Sequence, residues 1–128
     1  QDYIDELRRQ AGDDPRITFA GPYAEGDAAR VFAEMDVLVV PSTWYENTPF
    51  VMLEAFAAGV PVIASDLGGL SEIIQDGNGM LFRAGDPVAL QQRIEHIVNT
   101  PTWWSGLDIR PLDEIGKCYD AFASAYSS

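Results

Sequence analysis

Val37-Leu38-Val39-Val40-Pro41-Ser42-Thr43-Trp44-Tyr45-Glu46-Asn47-Thr48-Pro49-Phe50-Val51-Met52-Leu53-Glu54-Ala55-Phe56-Ala57-Ala58-Gly59 decides the fold. The apolar run at its start reads as a buried strand. Thr48-Pro49 then reads as an N-cap followed by proline in the first helical turn. From Phe50 to Gly59 the predicted helix is apolar on every side except at Glu54, and a helix apolar all round is normally buried. A buried carboxylate needs a partner, and an ionised one only accepts hydrogen bonds, so paired hydroxyls such as those of a ribose or hexose would suit Glu54. Helical side chains tilt toward the N-terminus, which aims Glu54 at the same place as Glu46. That place is the mouth at the carboxyl end of a parallel strand, where open α/β sheets bind ligands and where free helix N–H groups favour a phosphate.

The segment resembles the donor-binding half of GT-B glycosyltransferases, specifically the retaining family 4 with its E-x7-E motif, here Glu46 and Glu54. The match continues through Asp36-Val37-Leu38-Val39-Val40-Pro41-Ser42, then Glu54-Ala55-Phe56-Ala57-Ala58-Gly59-Val60-Pro61-Val62-Ile63-Ala64-Ser65, Gly68-Gly69-Leu70-Ser71-Glu72-Ile73-Ile74 and Asn78-Gly79-Met80-Leu81-Phe82. It covers roughly residues 16–99. Two glutamates at this spacing are common, whereas the ordered set of blocks is specific.

The resemblance implies an α/β, Rossmann-like three-layer parallel sheet, part of the C-terminal domain of a retaining glycosyltransferase that moves a hexosyl group from a nucleotide diphosphate sugar to an acceptor. It assigns donor-sugar hydroxyls to Glu46 and ribose hydroxyls to Glu54. Asn47, Thr48, Phe50 and Val51 would offer backbone N–H groups to the diphosphate, while Pro49 has none to give. Tyr23, in Gly21-Pro22-Tyr23, would stack on the base as a weaker candidate. Ordinary structural readings stand beside these: Glu54 satisfied by backbone or a serine, Glu46 a solvated or helix-start charge, residues 47–51 a capped turn, Tyr23 part of a plain turn. No residue of the chain is assigned a catalytic step.

The chain lacks the Gly-Arg strand end and Lys-Gly helix start with which the resembling domain begins, and with them the basic residues that would meet the phosphates. The sequence therefore reads as an N-terminally truncated piece, inactive without the missing N-terminal GT-B domain. A doubly wound sheet ordered 3-2-1-4-5-6 would lose strands 1 and 2, and a strand at residues 16–21 is expected to pair directly with the one at 37–41. Further strands are expected at 60–64 and 79–82. Helices are expected at 2–11, 27–35, 49–58, 69–75, 87–99 and 111–126, the stripe of Val88, Leu90, Ile94, Ile97 and Val98 forming core in the fifth. Residues 1–128 make one domain, with 108–128 a C-terminal crossover. Surfaces exposed by truncation, Trp103 and Trp104 among them, would allow self-association.

Composition bounds the rest. With 47% hydrophobic residues, 128 residues suffice for one core. The net charge of −12 disfavours nucleic acid and anionic membrane as partners. Cys118 is the single cysteine, so no internal disulfide is available, and no His or Cys cluster has metal-ligand spacing. The resemblance also implies no metal, since phosphate charge in that fold is met by side chains and helix dipoles. No apolar run spans a bilayer, and a cytoplasmic setting fits, with the full-length enzyme peripheral to the membrane as a variant of it. The alternative function is a non-catalytic nucleotide-binding or interaction α/β module. A receiver-like domain is disfavoured because the sole lysine is Lys117.

Overall fold

The computed structural model describes residues 2–43, 48–68, 70–74 and 77–109. In chain order these form α1 (Asp2–Ala11), a 3-10 turn (Glu25–Asp27), α2 (Ala28–Ala33), β1 (Leu38–Val40), α3 (Thr48–Ala57), β2 (Val62–Ser65), α4 (Leu70–Ile73), β3 (Gly79–Phe82), α5 (Pro87–Asn99) and α6 (Pro101–Ser105). The strands make a parallel sheet in the order β1-β2-β3, with Leu38 opposite Val62 and Val62 opposite Gly79.

The alternation of a pleated strand builds two cores from this one sheet. Val40, Val62 and Ala64 point to the side where Phe32 of α2, Met52, Ala55 and Phe56 of α3, and Leu70 and Ile73 of α4 are buried. Ile63 and Phe82 point to the other side, against Leu90 and Ile97 of α5 and Trp103 of α6. All four residues of β2 are buried, as a strand covered on both faces requires. The result is the expected three-layer α/β arrangement.

Helix ends follow local chemistry. α3 closes in a Schellman motif: the Val60 N–H donates to the Ala55 carbonyl at 2.8 Å, the Gly59 N–H donates to the Phe56 carbonyl at 3.0 Å, and Gly59 takes the positive φ of 76° that this needs. The chain then turns at once into β2. α5 opens as its sequence predicts, Asp86 Oδ1 accepting from the Ala89 N–H at 3.0 Å with Pro87 in the first turn.

The expected strand at 16–21 is absent, which overturns its direct pairing with β1. Ile17 and Phe19 alternate correctly but find no ladder, and stand 49% and 42% exposed. A strand is stable only through its neighbour, and this segment is held by other means. The Ile17 N–H donates to the Asp14 carbonyl at 3.1 Å, and the Arg8 guanidinium lies over the Phe19 ring, 5.6 Å from its centre. Arg16 clasps the Asp14 carboxylate through Nε and Nη2 at 3.0 and 2.7 Å.

Two corrections concern the end of the described chain. In α5 only Ile97 of the expected stripe is fully buried and Leu90 is half-buried; Val88, Ile94 and Val98 face solvent. The sheet covers a narrow strip of the helix, and positions 90 and 97, two turns apart, take it. Of the two tryptophans expected at an exposed surface, Trp104 is exposed but Trp103 is half-buried against the second core; both lie in α6, they meet edge to face at 5.0 Å, and Trp104 Nε1 donates to the Ile97 carbonyl at 2.8 Å, satisfying an end of α5. The predicted helix at 111–126, and Cys118 and Lys117 with it, lies outside the described residues.

Candidate functional site

β1 runs into Pro41, Ser42 and Thr43, and α3 begins at Thr48, so the strand-to-helix turn read from the sequence lies at the carboxyl end of the sheet. Glu46 and Asn47 lie outside the described residues. Thr48 and Phe50 occupy the first turn of α3, whose leading N–H groups have no partner within the helix. Val51, next along, packs its side chain against the first core, which fixes the start of the helix against the sheet.

Glu54 departs from expectation. It is half-buried instead of enclosed, and its carboxylate makes no hydrogen bond to a described residue. The neighbouring Ala55 and Phe56 fill the core while Glu54 stays on the rim of α3, with part of its surface open to solvent. Tyr23 stands half-exposed with its ring edge-on to Phe32, centroids 6.1 Å apart, which ties it to the α2 side of the core.

Two concavities open at this end of the sheet. One, of about 440 Å³, is lined by Tyr3, Pro41, Ser42 and Thr43. Another, of about 220 Å³, lies on the α5 side and is lined by Phe82, Gly85, Asp86, Pro87 and Leu90 with Pro41. Arg83, exposed, directly follows β3 and forms no ion pair among the described residues. Sequence reading passed over both Tyr3 and Arg83: the first belongs to a polar helix, and the second is a single charge in a turn. Among the described residues no three His, Cys, Asp or Glu side chains converge as a metal site would require. No helix among them is long and apolar enough to cross a membrane.

Comparison with known proteins places this arrangement. Residues 1–100 match the family of group 1 glycosyl transferases, and the chain belongs to that family. It is 35% identical over 102 residues to D-inositol 3-phosphate glycosyltransferase of Rhodococcus erythropolis, covering 79% of this chain and 23% of that protein. Among solved structures it is similar to sucrose-phosphate synthase from Thermosynechococcus elongatus, with TM-score 0.69 and 30% identity over 97% of this chain and 34% of that one. It is also similar to Anabaena HepE in complex with UDP and glucose, with TM-score 0.72 and 27% identity over 98% of this chain and 37% of that one. The α/β fold is thus that of GT-B glycosyltransferases, present as part of a domain. The chain spans about a quarter of the length of the curated relatives it matches.

Proposed function

We propose that this chain carries part of the donor site of a cytoplasmic, retaining, nucleotide-sugar-dependent glycosyltransferase of family 4 that transfers a hexosyl group. The observation that carries the reading is that Pro41, Ser42 and Thr43, on the segment that leaves the carboxyl end of β1 toward the start of α3, line the 440 Å³ concavity. A diphosphate set there meets unpaired helix N–H groups, and the similarity to a protein bound to UDP and glucose supplies the chemical class of ligand. Glu46 takes hydroxyls of the donor sugar and Glu54 those of the ribose, while Asn47, Thr48, Phe50 and Val51 lend backbone N–H groups to the phosphates. Tyr23 is a weaker contact on the base side. No metal takes part in this scheme. Transfer itself requires the acceptor domain, so the isolated chain binds without turnover.

Calorimetric titration tests the reading. UDP, GDP and ADP are each added with and without glucose or mannose attached, to the chain and to its Glu46→Ala and Glu54→Gln variants. One base is expected to be preferred, with a gain from the attached sugar that Glu46→Ala abolishes, while Glu54→Gln weakens every nucleotide. Failure of all the nucleotides to bind overturns the donor reading. Binding with no contribution from the sugar favours a nucleotide-binding module over a transferase.

A further inference from the structure

Among the described residues, Tyr3 is the one large aromatic side chain that lines the 440 Å³ concavity, together with the segment that leaves β1. It lies in the first turn of α1, is 74% exposed, joins neither core, and makes no ring contact among the described residues. Packing gives no account of its position. Its companions in the lining are Pro41 and the hydroxyl-bearing Ser42 and Thr43, which come from a distant part of the sequence.

We infer that Tyr3 is the stacking platform for the nucleobase of the donor, with the Ser42 and Thr43 hydroxyls beside it to meet the polar edge of the base. This rests on the donor reading and adds a residue to it. The size is right: ligand clefts commonly run from about 300 to 1,000 Å³. The chemistry is right as well, since an aromatic face accepts any base by stacking, and hydroxyls both donate and accept. The order along the site also fits. If the phosphates meet the start of α3, the base must extend away from it, and the concavity under Tyr3 lies on the β1 side of that point. Tyr23, by contrast, already spends one ring contact on Phe32.

Stacking makes a demand that packing does not: the side chain must be aromatic. Whichever of UDP, GDP and ADP the unsubstituted chain prefers is titrated by calorimetry into the chain and its Tyr3→Phe, Tyr3→Leu and Tyr3→Ala variants, with thermal melts recorded for each. Tyr3→Ala and Tyr3→Leu are expected to weaken that nucleotide about tenfold, the scale of one lost aromatic–base stack, and Tyr3→Phe to retain binding. Melting temperatures are expected to be unchanged, as befits an exposed ring. Retention by Tyr3→Leu, or equal loss in Tyr3→Phe and Tyr3→Ala, overturns the stacking role alone. Absence of binding of UDP, GDP and ADP alike by the unsubstituted chain overturns the donor reading, and this inference falls with it.

Discussion

Gly79 lies opposite Val62 in the β2–β3 ladder, so close that a Cβ at position 79 would land on the Val62 carbonyl oxygen. The contact is with backbone, which cannot swing aside as a flexible side chain would. Here the glycine serves inter-strand approach, not turn geometry. Gly79→Ala is expected to destabilise the chain by at least about 2 kcal/mol, through strain that opens the ladder at its first rung. A lowered denaturation midpoint in urea checks this, and an unchanged midpoint would show that β3 can shift freely.

Asn78, the neighbouring residue, is 3% exposed, and its Nδ2 donates to the Ile73 carbonyl at 3.0 Å, tying the end of α4 to the start of β3. Its own carbonyl accepts from the Val62 N–H at 3.0 Å. Asn78→Ala would leave a buried carbonyl unsatisfied, with a loss of about 1–3 kcal/mol. Thermal melts compared with those of Asn78→Asp separate the roles, because the carboxylate cannot supply the lost N–H and should not restore stability.

Asp86→Ala removes the acceptor for the Ala89 N–H at the head of α5. A loss of about 1 kcal/mol is expected, with Asp86→Ser recovering most of it. If the two variants melt together, the cap contributes nothing.

The Asp14 carboxylate is held below its ordinary range by hydrogen bonds from the Arg16 side chain and backbone N–H. A lowered folded pKa means that the folded form binds fewer protons than the unfolded one. The pair's contribution is therefore full above the unfolded Asp value and fades as pH falls through the lowered one. In an NMR titration the Asp14 midpoint should sit below that of an unperturbed aspartate and rise in Arg16→Ala. No difference between the two proteins would remove Arg16 as the cause.

Signals that are local in sequence were legible. The strands β1 to β3 announce themselves as apolar runs, Asp86-Pro87 announces a helix start, and Gly59 announces a stop. Thr100-Pro101 has the same cap-then-proline form as Asp86-Pro87 and opens α6, which was not among the helices expected from the sequence. The segment at 16–21 misled for a deeper reason. Ile17 and Phe19 have the period of a strand, but pairing is supplied by a neighbour that no local pattern can guarantee. The site divides the same way. The turn into α3 is written in consecutive residues, whereas Tyr3 meets Ser42 and Thr43 only through tertiary placement.

β2 has a consequence for how the molecule opens. It is the middle strand of the sheet, bonded to β1 on one side and β3 on the other, and its residues feed both cores. Neither helical layer can be peeled away without exposing side chains of this strand, Val62 and Ala64 on one face and Ile63 on the other. Amide hydrogens of Ile63 and Ala64 should accordingly exchange with solvent only through global opening, while those of α1, which joins neither core, exchange through local fraying. Motion can then proceed on α1 and the loops while the central strand stays closed.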